Sequence, residues 1–195
     1  MRQFVFVSLI ALLVTGAKSF AVCSDPHNIL GQYDAMLGTV SFEDAFHLGD
    51  TAIYSFVGYP NTVSTKVSSV TANDVVLDAD GETETITRAE YNAFNGSYLR
   101  VICNGEKGFA TVPATDVELV SATPTTVSLP HYPNINAIVV HAVLSYTNSN
   151  GTVSTFEEDF TMGVGLPAIG QYLGTEYDQN GHHYKIVATD VVRIM

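Results

Sequence analysis

His182 and His183 stand close to Glu176 and Asp178, and this quartet is the strongest metal candidate in the sequence. Adjacent residues of a strand point to opposite faces, so the two imidazoles do not share one ion, and a tetrahedral ligand set is not assembled. The segment reads as a solvated turn. His141 lies in an apolar run with Ala137, Val139 and Val143 on its side, the setting of a hydrogen-bonded histidine in a core or cavity wall. Glu157, Glu158 and Asp159 are consecutive, and Glu157 and Asp159 share a strand face. Paired carboxylates can do acid–base work, but a solvated sheet face has the same pattern. The run from Gly163 to Gly170 has the glycine density of a phosphate-cradling loop. Its third glycine falls late, Pro167 intrudes and a strand follows, so the helix N-terminus that such a loop needs is missing. It reads as a bend or bulge. The sequence contains no G-x-S-x-G, H-E-x-x-H or C-x-x-C, and the Asp-rich turns at Asp78–Gly81 and Asp178–Gly181 lack the bidentate acid of a calcium loop. No catalytic residue, metal ligand or cofactor is expected.

Export is the clearest expectation. Arg2 and the amino terminus form a positive n-region, Phe4 to Ala17 is apolar, and Ser19-Phe20-Ala21 places small residues at −3 and −1. This is a secretory signal over residues 1–21, cleaved before Val22. No stretch is long and apolar enough for a stable transmembrane anchor. In an oxidising compartment the only two cysteines, Cys23 and Cys103, form one bridge. It closes a loop of about 80 residues, worth about 4 kcal/mol in the chain-entropy model. The protein is therefore expected in the periplasm or outside the cell.

Composition narrows the partners. The chain is 46% hydrophobic and 14% charged, which is globular rather than disordered. Loss of Arg2 and Lys18 with the leader takes the formal charge from −12 to −14. Nucleic acid and anionic lipid surfaces are disfavoured as partners, and no nucleic acid is expected, because too little basic charge is present to neutralise phosphate. Asn95-Gly96-Ser97 and Asn150-Gly151-Thr152 are glycosylation sequons, relevant in a eukaryotic host.

The elements that would position these residues are mainly β. Asp25-Pro26 starts an amphipathic helix carrying Ile29, Leu30, Tyr33, Met36 and Leu37, which ends at Gly38. Ser41 to Leu48 holds one short helical turn. Period-two strands follow at Ala52–Tyr59, Thr62–Val70, Asp74–Ala79 and Glu82–Ile86, with a hairpin at Asp80-Gly81. Thr87 to Glu90 is a capping box opening a short mid-chain helix with Tyr91 and Phe94. Tyr98–Cys103 alternates as a strand. Asn136–Tyr146 and Thr152–Met162 are long strands joined at Asn150-Gly151, and Tyr172–Tyr177 pairs with His183–Ile194 around Asn180-Gly181. Asn104-Gly105 is another tight turn. An Ala-x-Asp-Val motif at Ala72, Ala114 and Ala188 reads each time as a polar turn entering a strand. Residues 22–195 then form a single mainly-β domain: one twisted antiparallel sheet or half-barrel with an N-terminal amphipathic helix and a short mid-chain helix.

This layout resembles the half-barrel of bacterial periplasmic lipoprotein carriers. Gly49, Asp50 and Tyr54, followed late by Gly163, Val164 and Gly165, are similar to a "G-D-x-x-x-Y" strand and "G-V-G" bend of uncharacterised exported β proteins. The resemblance implies export and an apolar concavity, and no catalytic residues. The function expected is a non-enzymatic exported protein binding a hydrophobic small molecule or an envelope partner. Ile138, Val140, Leu144, Phe156 and Phe160 are the expected ligand-binding residues, because the strand Asn136–Tyr146 is apolar on both faces and its second face needs a cover. That cover is either a ligand or the N-terminal helix. The alternatives are a secreted hydrolase using His141 or His182 with a carboxylate, and a structural or adhesive surface protein.

Overall fold

The computed structural model describes residues 22–104, 116–147, 151–179 and 181–194. The expected leader lies outside these residues, as do Gly105, Asn150 and Asn180 of three expected turns, and Ala114. The chain runs β1 (Val22–Ser24), α1 (Ile29–Leu37), α2 (Phe42–Ala45), β2 (Thr51–Phe56), β3 (Thr62–Val70), β4 (Asp74–Ala79), β5 (Glu82–Thr87), α3 (Arg88–Ala93) and α4 (Tyr98–Cys103). It continues with β6 (Asp116–Val127), β7 (Ile135–Thr147), β8 (Val153–Gly163), a 3-10 turn (Ala168–Gly170), β9 (Tyr172–Gln179) and β10 (His182–Val192).

The fold is mainly β, as expected. All ten strands among the described residues belong to one open, twisted sheet, in the order β1-β6-β7-β8-β9-β10-β2-β3-β4-β5. Every pairing is antiparallel except that of β1, which lies parallel to β6. Directly opposed residues share a face. Val117 on β6 faces Leu144 on β7, which faces Phe156 on β8, and Val140 faces Phe160. This apolar face forms one core with Ile29, Tyr33, Phe42, Tyr91, Leu99 and Ile102 of the helices. Each such Leu, Ile or Phe taken fully out of water contributes about 2 kcal/mol.

The helices carry the differences from expectation. Asp25 does not begin α1 directly. Asn28, at φ 56°, holds the cap position without a side-chain bond, and the Asp25 carboxylate reaches over it to accept from the Ile29 and Leu30 amides at 2.7 and 2.8 Å. Ile29 and Tyr33 are buried, whereas Met36 is exposed. Ser41 caps α2, and the Thr87–Glu90 capping box is complete. Tyr98–Cys103 is a helix, not a strand. The Ser97 hydroxyl accepts from the Arg100 amide, and Leu99, Ile102 and Cys103, at i, i+3 and i+4, are the buried positions. The bridge Cys23–Cys103 is present, with 5.2 Å between the Cα atoms, and so ties strand β1 to helix α4. The third copy of the Ala-x-Asp motif does not enter a strand. Ala188 and Asp190 lie inside β10, flanking its register shift against β2.

Asp50 explains its motif structurally. Fully buried, it accepts from the His47 and Ile194 amides at 3.0 and 3.2 Å, with Arg193 Nη2 at 3.4 Å. It clasps the end of β10 beside the start of β2. Gly163 likewise serves packing: its carbonyl accepts from the Tyr33 hydroxyl at 2.8 Å, joining α1 to the end of β8.

Candidate functional site

Four of the expected ligand residues, Ile138, Val140, Leu144 and Phe160, share the inner face and are at most 4% exposed. Phe156 shares that face but is half-buried, in a row of rings across four strands. Its centroid lies 6.4 Å from Tyr146 and 5.0 Å from Tyr177, and Tyr177 stacks on Tyr184 at 5.0 Å. A cavity among the described residues lies elsewhere and is lined by none of the five.

That cavity, of about 110 Å³, lies beneath α3 and α4. The sheet supplies Tyr54 from β2, Leu77 from β4, and Glu84 and Ile86 from β5. The α3 side contributes Glu90, Tyr91 and Phe94, and α4 contributes Tyr98 and Val101. Ala168, Ile169, Gln171 and Tyr172, around the 3-10 turn, form the remaining wall with Phe46. The capping box turns the chain out of β5 into α3, and this places Tyr91 and Phe94 over the sheet.

The polar groups of the frame are mostly committed to holding it. Gln171, 3% exposed, donates from Nε2 to the Gly96 carbonyl at 2.7 Å and accepts from the Tyr98 amide at 3.0 Å. It thereby pins the α3–α4 turn to the turn before β9. Gly96, at φ 67°, is required there, since a Cβ would strike the Tyr91 ring and hydroxyl. The Tyr54 hydroxyl sits 3.1 Å from the carbonyl oxygens of both Ile169 and Tyr172. Tyr172 differs. It is 6% exposed, and among the described residues its hydroxyl makes no well-formed hydrogen bond, with Thr175 as its nearest polar neighbour.

Behind Tyr172 lies a residue that the sequence reading passed over. Glu158 points inward between Phe156 and Phe160, 2% exposed, and accepts from the Thr175 hydroxyl. Burial pushes its carboxyl up to about 7, with Asp159 adding to the rise and the Thr175 bond opposing it. Burial and then Glu158 raise the tyrosines Tyr146, Tyr172 and Tyr177. Strand parity alone put Glu158 on the apolar face, and that was the available signal.

Apart from His182, the titratable groups considered for catalysis sit on the opposite, outer face. His141 Nδ1 lies 2.8 Å from Asp159 Oδ1, and the ring is about one-third exposed rather than in the core. Ser121 stands opposite His141 on β6, which lines up serine, histidine and aspartate across three strands. Among the described residues no hydrogen bond joins Ser121 to His141, whose Nε2 faces Glu157 at 3.9 Å instead. A nucleophile–base pair is therefore not formed. His183 pairs with Asp178 at 3.0 Å and Glu176 at 3.3 Å, and Lys185 also binds Glu176. His182 points to the other side, toward Tyr184. Among the described residues no group of three His, Cys, Asp or Glu side chains is placed to hold a metal ion. No described helix is long and apolar enough to cross a membrane.

Comparison with known proteins finds no matching family model, no matching curated sequence and no matching solved structure.

Proposed function

We propose that this is a non-enzymatic exported binding protein, and that its ligand inserts a small apolar group into the cavity beneath α3 and α4. The cavity carries the reading. Its walls are chiefly aromatic and aliphatic, and its few polar groups mostly brace the frame, which is the usual make-up of a small-molecule site. A dry apolar cavity of about 150 Å³ accepts a benzene ring, so a volume of about 110 Å³ suits one ring or a short stretch of chain. The Cys23–Cys103 bridge supports an oxidising compartment.

A fluorescent apolar probe titrated into the folded protein is expected to bind at one equivalent. Val101→Phe, which fills the cavity from α4, should abolish that binding and leave the melting temperature unchanged or higher. A probe that binds wild type and Val101→Phe equally well, or neither, would remove the cavity from the function.

A further inference from the structure

We infer that the cavity selects an aromatic ring over an alkyl chain, so that its ligand is a molecule carrying a phenyl-sized ring. This rests on the cavity being a binding site, and names the class of group that enters it. The make-up of the wall is the first observation. Six of its sixteen residues, Phe46, Tyr54, Tyr91, Phe94, Tyr98 and Tyr172, are aromatic, against 10% in the whole chain. The inner face of β7 contrasts with this, since Ile138, Val140 and Leu144 fill the core there with aliphatic side chains. A wall that only had to be apolar could be built in the same way.

The second observation is how the rings meet. On the side of α2 and α3, Phe46 and Tyr91 lie 5.6 Å apart at 69°. On the other side, Tyr172 lies 5.9 Å from Tyr54 at 48° and 5.7 Å from Tyr98 at 56°. These are the tilted and edge-to-face arrangements that rings prefer, in which the electron-poor rim of one meets the electron-rich face of the next. Both groups line the same cavity, and among the described residues no ring pair joins one group to the other. A planar ring in the cavity would link the two arrays, offering rim and face to both. An alkyl chain in the same space has no quadrupole and gains only the burial of its surface.

The test uses three alcohols of seven carbons: benzyl alcohol, cyclohexylmethanol and heptan-1-ol, titrated by calorimetry into the folded protein. Benzyl alcohol is the least hydrophobic of them, so a cavity that read apolar surface alone would rank it last. The protein should instead bind it about fivefold more tightly than either of the others. Val101→Phe should abolish that binding, which locates it in the cavity. Phe94→Leu removes one ring from the wall and keeps an apolar side chain. In that variant the preference should fall to about twofold, while cyclohexylmethanol binds as before and so reports an intact cavity. If cyclohexylmethanol or heptan-1-ol binds wild type as tightly as benzyl alcohol does, the ring assignment is overturned and the cavity remains a site for apolar groups. If Phe94→Leu keeps the full preference, or benzyl alcohol still binds Val101→Phe, the wall rings are not its source and the assignment is likewise overturned. If none of the three binds, the cavity is not a binding site at all.

Discussion

Glu158 is the residue with the largest consequence for behaviour in solution. Its ordinary value is 4.5, and burial raises it to about 7 in the folded protein. A carboxyl raised on folding adds to stability fully below about pH 4.5, and that contribution is lost as the pH climbs through 7. Between pH 4.5 and pH 8 the loss from this residue is on the order of 3 kcal/mol. Urea unfolding of wild type should therefore show stability falling from pH 5 to pH 8. In Glu158→Gln the fall should be much smaller, since the amide keeps the Thr175 bond without ionising. Equal pH dependence in the two proteins would mean that the carboxyl is hydrated in the fold. The residue was legible in outline only. Parity placed it between Phe156 and Phe160, but its raised carboxyl depends on burial under the rest of the fold, which parity on one strand does not reveal.

At the scale of elements, the α3–α4 unit is what creates the cavity, and Gln171 is its fastening. Gln171→Ala leaves the Tyr98 amide and the Gly96 carbonyl without partners, and a loss of about 2–3 kcal/mol is expected. Hydrogen exchange should localise the damage to α4, with the Tyr98 amide among the first to lose protection. Uniform loss of protection across β7 and β8 would instead place Gln171 in the global core. The strands were legible because they are long and alternate, as β3, β4, β7 and β8 do. Tyr98–Cys103 was not, for a definite reason. In six residues Leu99, Val101 and Cys103 satisfy period two, while Leu99, Ile102 and Cys103 satisfy the helical period equally well. Ser97, a good N-cap, was the one tie-breaking residue. The cavity escaped notice because its wall joins Tyr54 to Tyr172, 118 positions apart. No local pattern encodes that meeting.

For the whole molecule, the disulfide is the main covalent constraint. It fastens the three-residue β1, which pairs with β6 over only Val22–Ser24, to the helix roofing the sheet. Reduction should lower stability by about 4 kcal/mol, read as a drop in the urea midpoint under reducing conditions. A Cys23→Ser, Cys103→Ser double variant should behave like the reduced protein. Reduction without effect on the midpoint would show that the compact sheet suffices and that the bridge serves only to hold β1.

The seam between β10 and β2 carries a kinetic meaning. Strands β2 to β5 form a chain-local meander, as do β6 to β10, so each can assemble by short hairpin closures. The two are stitched together where Ile186 pairs with Phe56 and Val192 with Thr51, with Asp50 closing over the join. These partners lie 130 and 141 residues apart, so the stitch is expected to be a slow, late event of folding. Until β10 is available, β2 and β9 each present an open edge to any passing strand. A chain interrupted before His182 would carry two open edges, at β2 and β9, beyond those of β1 and β5, and would be sticky rather than merely incomplete.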